Sequence, residues 1–219
     1  MSLQTFNKFF HSSCTFSSPV KEDNTYHSTM LNNGVPVFVQ LPKLTTINGI
    51  HWHDNRCYLD LELTKPVLDF FLDFEQKNIQ TTFENSSKWF GKEMPLDIIE
   101  SNYLSVVRLD SKRSYVRFSI PTNENNNDHE CNINVYNQFK ERANPEDIIP
   151  GSQVWAIIRC KGLVVGKRNL CFEWQVEQVK FHTKQGNPYM FIDDDEDEEV
   201  EIMETPHIEE KQFEDYLQG

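Results

Sequence analysis

Gln153-Val154-Trp155-Ala156-Ile157-Ile158-Arg159-Cys160-Lys161-Gly162-Leu163 is the stretch that decides how this chain folds. Val154, Ala156, Ile158 and Cys160 fall on one side of an extended backbone, and Trp155, Ile157, Arg159 and Lys161 on the other. A period of two marks a strand with one face turned to a core. Pro150-Gly151 precedes it as a turn signal, Gly166-Lys167-Arg168-Asn169 reads as a hairpin tip, and Phe172–Lys180 reads as the returning strand.

Working outward, Ser114–Ile120 alternates in the same way, with Val116, Phe118 and Ile120 opposite Tyr115, Arg117 and Ser119. Cys57, Leu59, Leu61 and Leu63 alternate with polar residues, Val35–Leu41 reads as a strand whose Pro36 suits a start or an edge, and Ile133–Tyr136 reads as a short strand. Between strands, Thr64 stands at an N-cap position with Pro66 in the first turn, and Val67, Phe70, Phe71 and Phe74 recur at helical spacing. The spacing predicts a helix over about 65–78 and a weaker one over about 81–91, together a helical insertion at about 65–91. Residues 123–130 form an Asn-rich loop. Five or six strands without βαβ repetition give a mostly β chain with one or two helices, a small barrel or sandwich. The expected organisation is a loosely ordered segment over 1–33 carrying one turn or strand, a folded domain over 34–192, and a tail over 193–219.

Charge sets the tail apart. The 219 residues carry 21 Lys+Arg and 34 Asp+Glu, a formal net charge of −13. From Asp193 to Gly219 there are 13 acidic residues and one basic one, Lys211, so positions 1–192 hold 21 acidic and 20 basic residues. The body is almost neutral and the acidity sits at one end, the asymmetry of an acidic tail with an electrostatic role. No apolar run approaches the roughly 18–20 residues a membrane-spanning helix needs, and the N-terminus lacks the apolar core of a signal peptide. Five cysteines with no C-x-x-C spacing give neither a disulfide framework nor a zinc cluster and fit a reducing, intracellular setting.

Aromatic rings interleaved with cations on one sheet face are what a single strand of nucleic acid requires, since rings stack on bases and cations track phosphates. Trp155, Arg159 and Lys161 form such a set with Arg113, Tyr115 and Arg117 on the earlier strand and Lys167 and Arg168 at the hairpin tip. The competing reading is a solvated sheet face whose cations only keep it soluble, and the two carry about equal weight. His51-Trp52-His53-Asp54 places two imidazoles on one side of an extended chain, but zinc needs three or four ligands and no further pair is spaced to supply them. Cys160 and Cys171 lie on or beside apolar strand faces, where free cysteine is a small hydrophobe. No G-x-S-x-G, Walker A or G-x-G-x-x-G motif is present, so a non-enzymatic protein without cofactor or metal is expected.

The order of Trp89-Phe90-Gly91-Lys92, Leu96–Val107, Tyr115–Ile120, Ile133–Tyr136, Pro150-Gly151-Ser152, Val154–Leu163 and Phe172-Glu173-Trp174-Gln175-Val176 resembles a protein group of the nucleocytoplasmic large DNA viruses. Its members are similar to podovirus single-stranded DNA-binding proteins, with one OB-fold domain followed by an acidic C-terminal tail. The resemblance implies a five-stranded Greek-key barrel with a disordered acidic tail, and sequence-tolerant binding of single-stranded DNA in viral replication, recombination or repair. It places the protein in an intracellular viral replication compartment or the virion, and admits a homodimer. It further implies that Asp193, Asp194, Asp195, Glu196, Asp197, Glu198 and Glu199, with Phe213 and Tyr216, meet replication proteins such as a polymerase or helicase. The alternative class is an acidic-tailed OB-fold interaction or virion protein that does not bind DNA.

Overall fold

The computed structural model describes residues 2–22, 25–122 and 130–182. In chain order its strands are β1 (Ser2–Thr5), β2 (Cys14–Phe16), β3 (Val20–Glu22), β4 (Thr25–Ser28), β5 (Met30–Asn32), β6 (Val35–Gln40), β7 (Leu44–His53) and β8 (Arg56–Glu62). Helices α1 (Lys65–Phe90) and α2 (Leu96–Asn102) follow, then β9 (Val107–Leu109), β10 (Ser114–Ile120), β11 (Asn134–Tyr136), β12 (Gln153–Val165) and β13 (Leu170–His182).

Five of these strands close a ring. β7 pairs antiparallel with β8 and β8 with β10. β10 meets β13 in parallel at Ser119–Gln175, β13 pairs antiparallel with β12, and β12 returns to β7 through Gln153–Thr45 and Val154–Leu44. This order, with its single parallel closure, is the five-stranded Greek-key barrel of the OB fold. The inward residues are those the alternation assigns: Leu59 and Leu61, Val116 and Phe118, and Val154, Ala156, Ile158 and Cys160 are all buried.

The helical insertion is one helix of 26 residues rather than two. Thr64 is its N-cap in extended conformation, with Pro at the first turn, and Gly91 ends it in the left-handed region at φ 68°. Sequence periodicity fades after Phe74 because the buried stripe turns polar. Asn78, Thr82 and Ser86 continue it, and the Thr82 and Ser86 hydroxyls bond back to the Asn78 and Phe83 carbonyls. The first half plugs one end of the barrel: Phe71 meets Phe118 and Trp174 at 5.9 Å each, and Phe74 meets Trp174 at 5.0 Å and Phe172 at 5.5 Å between centroids. Such rings contribute about 1.5–3 kcal/mol each by burial.

The N-terminal segment departs from expectation. Among its described residues it carries five short strands, with β1 lying parallel to β6 (Leu3–Phe38) and β4 running against β12 (Leu163–Ser28). Phe6 and Phe9 set their edges against Phe70, and Phe16 packs between Trp89 and Phe172. Pieces of three or four residues are too short to show a period, and the partners that tie β1 and β4 to the barrel, β6 and β12, are far away in sequence.

Candidate nucleic-acid interface

The outward side of the β7–β8–β10 sheet is set by register. Ser119 lies opposite Tyr58, Arg117 opposite Asp60 and Tyr115 opposite Glu62, while Tyr115 on its other side faces Arg108 of β9. Arg117 is not a free cation. Its Nε and Nη2 donate to Asp60 Oδ1 and Oδ2 at 2.8 and 2.7 Å, and its guanidinium lies 5.2 Å from the centre of the Tyr58 ring. The Asp60 side chain is only 1 % exposed, so the pair is a bidentate, largely desolvated one. Asn48 and His51 approach the same carboxylate at 3.4 and 3.5 Å. His53 turns instead to Asp54, and among the described residues no three His, Cys, Asp or Glu side chains are grouped to hold a metal ion.

β10 and β13 touch at a single residue pair, and the gap beside it is a groove of about 550 Å³. Among the described residues, Arg56, Arg108, Arg117 and Lys161 line it with one carboxylate, Glu173, and the Tyr58 ring. Arg56, Arg108 and Lys161 are exposed and have no carboxylate partner among the described residues.

Two local devices present these cations. Lys161 is the unpaired residue of a bulge: Cys160 pairs with Trp174 and Gly162 with Glu173, leaving Lys161 outside the ladder. Gly162, at φ 126°, lets the backbone pass so close to β4 that an added Cβ would sit 2.0 Å from the Ser28 carbonyl oxygen. Arg108 is carried by a short strand whose entry is clamped by Glu75 of α1. Val106 N–H donates to its carboxylate at 2.7 Å and the Ser105 hydroxyl at 2.8 Å. Burial pushes the Glu75 carboxyl above the usual carboxylate range, against the bonds from Val106 and Ser105 that favour its charge.

The structure therefore divides the eight residues expected to act together. Arg117 and Lys161 reach the groove, and Tyr115 is half-buried in the same sheet face. Arg113 caps the β9–β10 turn in an ion pair with Asp110 at 2.9 Å; bonds from the Lys112 N–H and the Arg113 guanidinium hold the Asp110 carboxyl below its usual range. Lys167 and Arg168 are exposed at the β12–β13 tip. Trp155 and Arg159 belong to another wall. There Lys180 Nζ sits 4.3 Å and Lys43 Nζ 5.8 Å from the indole centre, and the His182 ring lies 5.0 Å away. Arg159 reaches Glu177 at 3.8 Å and the Phe38 ring at 5.8 Å. An exposed cation–π contact is worth about 0.5–1 kcal/mol and a stacked base about 1–3 kcal/mol, so a base can displace the lysine from the ring. The tail residues Asp193–Glu199, Phe213 and Tyr216 lie outside the described residues.

Arg56, Tyr58, Arg108, Lys43 and Lys180 are absent from the sequence-derived set. Arg56 and Tyr58 were within reach, because they alternate out of phase with Cys57, Leu59 and Leu61. Arg108 lies in a three-residue strand that shows no period of its own.

Residues 48–193 match a family described as "Family of unknown function (DUF5871)". None of the curated proteins matches the chain. Among solved structures, the chain is similar to the single-stranded DNA-binding protein gp2.5 encoded by bacteriophage T7, at 12 % identity and a TM-score of 0.44, over 70 % of this chain and 92 % of that one. It is also similar to the single-stranded DNA-binding protein of bacteriophage Enc34. The C-terminally truncated form gives 13 % identity and a TM-score of 0.45 over 78 % of this chain and 96 % of that one. The same protein in complex with single-stranded DNA gives 13 % and 0.43 over 78 % and 97 %.

Proposed function

We propose that this chain, which belongs to the family of unknown function DUF5871, binds single-stranded DNA without regard to sequence, in the groove between β8, β10 and β13. The observation that carries the reading is the charge of that groove: among the described residues, three cations without a carboxylate partner, Arg56, Arg108 and Lys161, line it with one carboxylate, Glu173, on a chain whose net charge is −13. A polyanion is the ligand that such a concentration of unpaired cations serves, and Tyr58 supplies a ring beside them for a base. On an OB barrel the face of the second and third strands is the usual ligand surface, and β8 and β10 hold those places in the ring.

Titration of a labelled oligonucleotide at two salt concentrations tests this. Lys161→Ala and Arg108→Ala are each expected to weaken binding severalfold whatever the base sequence. Each is also expected to make log K less dependent on log[salt] by about 0.7, the value for one phosphate contact to a single strand. Both side chains are exposed, so neither change threatens the fold. Unchanged affinity and salt slope in the folded double variant would overturn the site and favour an interaction or virion protein that does not bind DNA.

The acidic tail belongs to the same proposal. Residues 193–219 compete with DNA for the cationic surface, and DNA binding releases Phe213 and Tyr216 to a replication protein such as a polymerase or helicase. Support comes from charge: 13 acidic residues against one lysine, tethered at an effective concentration of roughly millimolar. Removing 193–219 is expected to tighten DNA binding at low salt, with a gain that shrinks as salt screens both competitors. Equal affinities of the full and shortened chains at low salt would rule out competition. The setting in viral replication, recombination or repair rests on the sequence resemblance.

A further inference from the structure

We infer that the Trp155 wall is a second contact region for the same DNA strand, reached from the groove along the outer side of the β12–β13 hairpin, so that oligonucleotides too short to span both are held by the groove alone. The inference rests on the reading of the groove as a single-stranded DNA site. The two regions are joined by register. Gln175 lines the groove and is paired with Arg159, while Ile157 pairs with Gln178 and Trp155 with Lys180. Gln40, Trp155, Ile157, Gln178 and Lys180 then line a separate concavity of about 240 Å³. One strip of outward side chains thus runs from Lys161 through Arg159 to Trp155.

Its chemistry suits a nucleotide chain. Lys43 and Lys180 converge on an indole rather than on a carboxylate, and neither has an ion-pair partner among the described residues. Arg159 is loosely held: its contact to Glu177 is 3.8 Å long, and its buried Nε has no hydrogen-bond partner. Gln40 and Gln178 line the same concavity as the indole, and a glutamine amide can donate to or accept from a base edge. Glu173 and Glu177 are the acidic side chains on the strip, and the second faces Arg159. The strip also has a length. Lys161 and Trp155 are six residue steps apart, about 20 Å at roughly 3.3 Å per step, or about six nucleotides at a stacked rise of roughly 3.4 Å. A strand filling the groove must therefore extend by several nucleotides before it gains the indole.

A ladder of oligothymidylates from about 4 to 16 nucleotides, the range of OB-fold site sizes, tests this on the full chain. Trp155→Ala is expected to leave the affinity for the shortest oligonucleotides unchanged and to lower that for the longest by about fivefold or more. Lys180→Gln, an exposed-side change that spares the core, is expected to act on the same long oligonucleotides more weakly. Lys161→Ala is expected to weaken every length. Equal effects of Trp155→Ala and Lys180→Gln at all lengths, or no effect at any, would overturn the second region while leaving the groove in place. Failure of the unaltered chain to bind any length would overturn the groove reading and this inference with it.

Discussion

Arg117→Ala is expected to lower the stability of the barrel by about 3–5 kcal/mol, the usual cost of removing one partner of a buried ion pair. Asp60 would remain with its side chain 1 % exposed, and Asn48 and His51, at 3.4 and 3.5 Å, are poor substitutes for a bidentate guanidinium. The loss should appear as a lower midpoint in denaturant with an unchanged m-value. Replacing both partners by apolar residues, Arg117→Met with Asp60→Leu, should recover most of it, because no charge is then left unpaired. A loss under about 1 kcal/mol in Arg117→Ala would show that the pair is wetter than its geometry states. The consequence for function is direct. A weakened DNA titration with Arg117→Ala measures unfolding as well as contact, so Lys161 and Arg108 are the residues that report on the groove.

Gly162→Ala should cost a similar amount for a different reason. The added Cβ would lie 2.0 Å from the Ser28 carbonyl oxygen, 2.9 Å from its carbon and 3.0 Å from Thr29 Cα. All three are backbone atoms, so no side-chain rotation relieves the contact. The β4–β12 ladder through Leu163–Ser28, Val164–His27 and Val165–Tyr26 would have to part. A φ of 126° adds strain of its own for any residue with a Cβ. Overpacking and backbone strain each cost about 1–3 kcal/mol, so a total of about 2–6 kcal/mol is expected. For a chain of this size that is a fall in Tm of roughly 4–24 °C. Gly151→Ala is the control: its φ is 83°, but nothing lies within 4 Å of the added Cβ. If Gly162→Ala costs no more than Gly151→Ala, the close approach is not what demands glycine. The bulge that lifts Lys161 into the groove is built on the same contact, so Gly162 links the stability of the N-terminal strands to the presentation of a DNA-binding cation.

The sequence by itself determined the β12–β13 hairpin, the inward faces of β8 and β10, the start of α1 and the separation of a nearly neutral body from an acidic tail. Each of these is a local property. A period of two or of 3.6, a turn dipeptide or a run of like charge is written within a dozen residues and does not depend on what the segment later touches. Tertiary structure alone decided the rest. The parallel contact of Ser119 with Gln175 that closes the ring joins segments with no common pattern. The pairing of Arg117 with Asp60 joins residues 57 apart and turns a polar alternation position into a buried one. The same is true of the functional surface. Read along the chain, Trp155, Arg159 and Lys161 are one outward row, but a bulge at Lys161 and the curvature of a closed barrel assign the row's two ends to different walls. Side-chain alternation specifies in or out. Which outward residues share a groove is set by strand order, register and bulges, and those follow from contacts between segments that the chain brings together only on folding.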